Sequence, residues 1–236
     1  MKSISTEQEI LSRPGDWSFD YHVSKIFDDH VRKSIPCYDV IQKLIAKISQ
    51  KYLPEKAIVY DLGTATGEVI YNIDKANRSK NITYIGIDIS YPMLERAMEK
   101  CSDITDVTFY NNSIEEINFL HSDLIVSAFT LQFVDIEKRK QICQNIKNSL
   151  KSSGLFILCE KLAFDNDRIS DLFITLHEDW KLNFFSNEEI SLKRNSLKKV
   201  MRLLTFSDYY KMLREVGFKQ INLFFQWCNF VCILVS

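Results

Sequence analysis

The run Asp61-Leu62-Gly63-Thr64-Ala65-Thr66-Gly67 closes an apolar, β-branched stretch, Ala57–Tyr60, with an acid, two hydroxyls and two glycines. A second apolar run, Ile82–Ile87, also ends in an acid, Asp88. Glycines after a strand let backbone come close to a ligand, and an acid at the end of the next strand takes ribose hydroxyls. The spacing is G-x-A-x-G where a dinucleotide turn is G-x-G-x-x-G. A pyrophosphate needs the middle glycine to reach backbone amides, and Ala65 puts a methyl group there. A nucleoside without phosphate tolerates that side chain better, and Asp61 can reach an amino group on such a ligand directly or through water. Two further strand ends fall at the same edge: Asn111-Asn112-Ser113-Ile114 and Ala128-Phe129-Thr130-Leu131-Gln132-Phe133. Ser113 can hydrogen-bond an adenine amino group, although short polar residues after strands are also plain turn formers. Phe129, Leu131 and Phe133 read first as core.

Alternating periodicities supply the elements that hold these residues. Val40, Ile41, Leu44, Ile45, Ile48 and Leu53 share one helical face over 39–53. A strand over 57–62 leads to a helix beginning near Gly67. The strand over 82–88 leads to Pro92, suited to the first turn of a helix running to about Lys100. Strands follow over 107–111 and 124–130. The segment 136–150 is an amphipathic helix that Gly154 is placed to end, and 155–162 is a buried strand. Residues 165–216 are helical without a strand, an insertion that covers the ligand or makes a subunit contact. The chain ends in two strand-like runs around Cys228-Asn229. The expectation is an α/β class: a Rossmann-like, seven-stranded, largely parallel sheet with helices on both faces, a helical insertion and a C-terminal antiparallel hairpin. That finish is typical of the class I S-adenosylmethionine-dependent methyltransferase fold. S-adenosylmethionine is the nucleoside the turn then implies. Residues 1–236 read as one domain, with a helical cap over 1–55 and an insertion or dimer segment over 165–216.

Composition removes other classes. The 236 residues carry a net charge of −1, which points to neither nucleic acid nor membrane. The polar N-terminus is not a secretory signal, and no run is long enough to span a bilayer; a cytoplasmic home is expected. Six scattered cysteines without a C-x-x-C pair read as reduced and mostly buried. His22, His30, His121 and His177 lie far apart, so no metal site is expected.

At finer grain the chain resembles the carboxy-S-adenosyl-methionine synthases of bacterial wobble-uridine tRNA modification. The resemblance rests on Gly15-Asp16-Trp17-Ser18-Phe19-Asp20, Ser34-Ile35-Pro36-Cys37-Tyr38, Phe129-Thr130-Leu131-Gln132-Phe133, Glu160-Lys161, Glu189-Ile190-Ser191-Leu192-Lys193-Arg194 and Phe225-Gln226-Trp227-Cys228-Asn229-Phe230. It implies an enzyme that deprotonates the sulfonium methyl of S-adenosylmethionine and carboxylates it, with prephenate as carboxyl donor and phenylpyruvate as by-product. It implies that Tyr38, Gly63, Thr64, Ala65, Asp88, Ile89, Ser113, Ile114 and Ala128 hold S-adenosylmethionine or its carboxylated form. It also implies that Arg194 holds the new carboxylate from the neighbouring subunit of a homodimer, and that the product passes to a carboxymethyltransferase. Arg194 has a case of its own. Lys193, Arg194, Lys198, Lys199 and Arg202 form a basic segment with no acid between Ser191 and Ser207. A dianion would explain it, while Lys198, Lys199 and Arg202 read as a solvated face. Direct nucleic-acid contact is a weaker reading of so short a cluster.

The chain departs from the family at Ala65 (usually serine), Ser113 (usually an acid) and Ala128 (usually asparagine), and over Lys181-Leu182-Asn183-Phe184-Phe185. These positions keep two other readings open: a conventional methyltransferase acting on a small molecule, and a non-catalytic partner of a tRNA-modifying enzyme.

Overall fold

The computed structural model describes residues 19–198 and 200–236; Gly15, Asp16, Trp17, Ser18 and Lys199 lie outside them. Among the described residues the first helix, α1 (Tyr21–Arg32), starts where the Asp20 carboxylate accepts from His22 and Val23 N–H. Helix α2 (Tyr38–Tyr52) buries Ile41 and Ile45 on the face expected from spacing, whereas Val40, expected on that face, is exposed. Then come β1 (Ile58–Leu62), α3 (Glu68–Asn77), β2 (Thr83–Asp88) and α4 (Tyr91–Lys100), where Ser90 caps and Pro92 occupies the first turn. Next are β3 (Val107–Asn111), β4 (Ser122–Ala128), a 3-10 turn (Leu131–Phe133), α5 (Ile136–Ser149) and β5 (Leu150–Lys161). Helices α6 (Asp167–Lys181), α7 (Asn187–Leu197) and α8 (Phe206–Val216) precede the hairpin β6 (Ile221–Trp227) and β7 (Phe230–Val235).

The strands form one sheet in the order β3-β2-β1-β4-β5-β7-β6. β1 to β5 are parallel, and β7 runs antiparallel to both β5 and β6. Successive side chains feed opposite cores, as a pleated strand requires. On β5, Ile157 and Cys159 face the cluster that holds Ile41 and Ile45 of α2, while Phe156 and Leu158 face the one that holds Ile146 of α5 and Leu213 of α8. The expected α/β sheet and terminal hairpin are therefore present.

Two local expectations are corrected. Gly154 does not end α5: the helix stops at Ser149, Leu150 is already extended, and Gly154 lies inside β5. A Cβ there would stand 3.0 Å from the Ser122 carbonyl, next to a register shift between β4 and β5, so the glycine serves a close strand approach. The fourth strand stops at Ala128 because Phe129 turns to φ 62. The helical stretch 165–216 comprises α6, α7 and α8. Helix α8 packs with α5 over the sheet through Tyr209 and Leu213, whereas α6 and α7 stand beside the carboxyl ends of the strands.

Ile157 is fully buried at the middle of the sheet. Ile157→Ala is expected to lower the unfolding free energy by about 2–5 kcal/mol, read by urea denaturation; a loss below about 1 kcal/mol would place it outside a packed core.

Candidate functional site

Parallel strands end together, so whatever follows them converges on one edge. The turn after β1 is tied to the end of β2: Gly63 and Thr64 N–H both donate to the Ile87 carbonyl, at 2.8 and 3.0 Å. Ala65 N–H donates to Asp88 Oδ2 at 2.9 Å, and Ser90 N–H to Oδ1 at 2.8 Å. Gly63 sits at φ 69, and a Cβ there would lie 2.4 Å from the Thr130 side chain, so only glycine fits. Two residues on the same rim, Ala65 (φ 47) and Phe129 (φ 62), hold left-handed backbone without being glycine.

These ends wall a cavity of about 380 Å³. One pole is acidic. Asp61 is buried, its Oδ2 accepts from Thr64 Oγ1 at 2.6 Å, and burial pushes its carboxyl up to about 7 against that hydrogen bond, with Asp88 adding to the rise. Burial likewise raises Asp88, opposed by its backbone hydrogen bonds. Glu68 is held by Arg32 and Lys100, each at 2.7 Å. Such a pole suits a positively charged ligand with a vicinal diol.

The opposite pole is basic. Lys161 from the end of β5, Lys181 from the end of α6 and Lys193 from α7 line it, with His30 of α1 and His177 of α6. Lys193 Nζ donates to His30 Nε2 and, at 2.6 Å, to Ser34 Oγ; His177 Nε2–H donates to the Ser34 carbonyl at 3.0 Å. Burial, with the lysines adding, pushes both imidazoles down to about 2, so they are neutral. Lys161 is pushed down to about 8 by burial and then by Lys181, with Glu178 opposing.

Tyr38, Gly63, Thr64, Ala65, Asp88, Ile89, Ser113, Ile114 and Ala128 all line this cavity. Ile89 lies open at the rim, 74% exposed. Ser113 also acts as a turn former, its Oγ accepting from Glu115 N–H at 3.3 Å. Leu131 and Phe129 are core, as expected, and Phe129 also lines the cavity, as does the partly buried Phe133. Arg194 is not among the lining residues: it lies on the outer side of α7, its side chain 46% exposed and bonded to Glu178 at 2.8 Å. The basic segment read from the sequence supplies Lys193 to this pole; that Lys161, Lys181, His30 and His177 join it was not foreseen, although Lys161 ending an apolar strand run was a usable signal.

Above its folded value of about 7, Asp61 is ionised and attracts a cation; below it, the proton must first leave. S-adenosylmethionine affinity is therefore expected to rise about 25-fold from pH 5.5 to 7.5 in calorimetry, and Asp61→Asn to weaken binding and flatten the rise. A pH-independent affinity would remove Asp61 from the contact.

Residues 59–154 match a family described as a methyltransferase domain. Among solved structures, the fold is similar to human N-acetylserotonin methyltransferase in complex with S-adenosylmethionine (TM-score 0.62, 18% identity, covering 98% of this chain and 61% of that one). It is similar also to an O-methyltransferase family protein of Burkholderia thailandensis (TM-score 0.68, 13% identity, covering 99% and 63%). Carboxy-S-adenosyl-L-methionine synthases of Actinobacillus succinogenes and Shewanella halifaxensis are 33% and 34% identical over 238 residues, covering 97% and 98% of this chain and 98% of each relative. With about a third of its residues shared along nearly the whole length of both relatives, and an S-adenosylmethionine-type turn at its centre, the chain belongs to the carboxy-S-adenosyl-L-methionine synthase family.

Proposed function

We propose that the protein makes carboxy-S-adenosyl-L-methionine from S-adenosylmethionine and prephenate, releasing phenylpyruvate. The observation that carries this reading is the charge separation within one cavity: carboxylates at one end suit a sulfonium and its ammonium, and ammonium groups at the other suit a dianion. The residues present fit S-adenosylmethionine. Asp61, buried with one hydroxyl partner, is matched to the amino group, and Asp88 retains acceptor capacity for the ribose hydroxyls. Bound there, S-adenosylmethionine supplies a methyl group acidified by the neighbouring positive sulfur. Tyr38, kept protonated by burial and by the Glu68, Asp28 and Asp61 carboxylates, is a donor for a carboxylate.

The exchange balances without an external oxidant. The donor's ring carboxylate becomes the new carboxyl group, its carbon–carbon electron pair goes into the aromatising ring, and the ring hydroxyl leaves with the methyl proton as water. The protein's task is then positioning and charge rather than supplying a base.

The working unit in this reading is a homodimer. Ile169, Leu172 and Leu176 recur at helical spacing on α6, each more than a third exposed. This apolar stripe is suited to a second copy. Arg194 stands on the neighbouring helix, and its planar fork matches a carboxylate bidentately, as the product's extra arm demands. The product then serves carboxymethylation, such as of a tRNA wobble uridine, in the cytoplasm. Among the described residues no helix is long and apolar enough to cross a membrane.

Native mass spectrometry of protein purified from cells is expected to show a ligand heavier than S-adenosylmethionine by one carbon dioxide. Plain S-adenosylmethionine, unchanged when prephenate is added, would leave a conventional methyltransferase instead. Arg194→Ala is expected to lower turnover roughly a hundredfold with the melting temperature held. Leu172→Glu is expected to give monomers by light scattering with a similar loss; monomers with full turnover would sink the shared site.

A further inference from the structure

Among the described residues, the basic pole holds two ammonium groups, those of Lys161 and Lys181, that no ion pair neutralises. Among the described residues no hydrogen bond or ion pair joins Nζ of Lys161 or Lys181 to another group; the Lys161 ammonium lies 5.3 Å from the Phe230 ring centroid. Lys181 is 8% exposed. The acids of the cavity wall are engaged elsewhere. Asp61 and Asp88 belong to the opposite pole, Glu68 is held by Arg32 and Lys100, Glu115 by Lys138 and Asp135 by Arg202. Glu178, whose charge is felt by Lys161 and Lys181, is bonded to Arg194. Burying ammonium groups without a counter-ion is costly unless a ligand brings one.

The two histidines sharpen the arrangement. Both are neutral, so they add no charge, and each orients a neighbour: His30 accepts from Lys193, and His177 donates to the Ser34 carbonyl. Lys193 therefore stands fixed between α7 and the loop before α2, and Ser34 links it to α6. Phe230, Trp227 and Trp180 pack around His177, giving this end an aromatic wall.

We propose that Lys161 and Lys181, backed by the anchored Lys193, form the seat of the carboxyl donor, and that this seat selects a ring-bearing substrate with two carboxylates over one with a single carboxylate. The assignment rests on the reading of the protein as a carboxy-S-adenosyl-L-methionine synthase. It names the residues that hold the donor, in addition to Arg194, which is matched to the product's carboxylate. Lys161 and Lys181 bind the donor's carboxylates; Lys193 is a positioning residue.

The test separates the two claims. In steady-state synthesis, Lys161→Met and Lys181→Met are each expected to raise KM for prephenate about tenfold or more, with the calorimetric affinity for S-adenosylmethionine changed less than twofold. Lys181→Arg is expected to recover most of the loss. An unchanged KM, or a parallel loss of S-adenosylmethionine binding, would overturn the assignment. A second measurement leaves the protein intact: phenylsuccinate, a dicarboxylate that cannot aromatise, is titrated into wild-type protein saturated with S-adenosylmethionine, beside 3-phenylpropanoate. Binding of the dicarboxylate at least tenfold tighter than the mono-acid, abolished in Lys161→Met, supports the seat. Equal binding of both, or binding of neither, refutes it. If wild-type protein makes no carboxylated product with prephenate, the proposed reaction fails, and the phenylsuccinate titration still decides whether the seat exists.

Discussion

The ends of β1 and β2 are tied together by one carbonyl and one carboxylate. Ile87 C=O receives Gly63 and Thr64 N–H, and Asp88 receives Ala65 and Ser90 N–H. The rest of the site depends on this tie. It holds the glycine turn open against Thr130, sets Gly67 at the start of α3, and keeps Asp61 almost wholly buried in the cavity wall. A carboxylate that fastens two backbone segments is also one whose remaining lone pairs are aimed, so the same residue both builds the rim and faces a ligand. Left-handed backbone at Ala65 and Phe129 shows that the rim is over-determined by its neighbours, since neither residue prefers that region.

Much of this was legible in the residues alone. The two strand–acid endings, the break from a dinucleotide spacing at Ala65 and the polar turn at Cys228-Asn229 each report a local constraint, and local constraints survive folding. What resisted reading was anything that depends on which elements meet. His30 and His177 are distant in the chain, yet Ser34 and Lys193 connect them. Lys193 and Arg194 belong to one basic run, yet a helix turns adjacent residues away from each other. Gly154 carries the signal of a helix stop, and the actual demand for it comes from the Ser122 carbonyl on another strand.

Polarity within the cavity organises the chemistry more than any single side chain. Strands deliver Asp61, Asp88 and, at the end of β5, one lysine; the insertion helices α6 and α7 deliver the other two. Residues 59–154, the strands β1 to β4 with their helices, are the part that matches the methyltransferase-domain family. The pieces beside it, α1, α6 and α7, carry the charge that a methyl donor alone would not require. Fold and reaction type are thus written in different parts of the same domain.

Lys193 and Arg194 are consecutive on α7, one sealed against His30 and the other reaching outward. That helix is therefore a two-sided part. In the proposed dimer its inner side serves the protomer that owns it and its outer side serves the neighbour. A single-residue insertion or deletion in α7 would rotate both sides at once, so neither pocket can drift without disturbing the other. Inheritance of this segment should accordingly be all-or-nothing, with its length kept even where its composition changes.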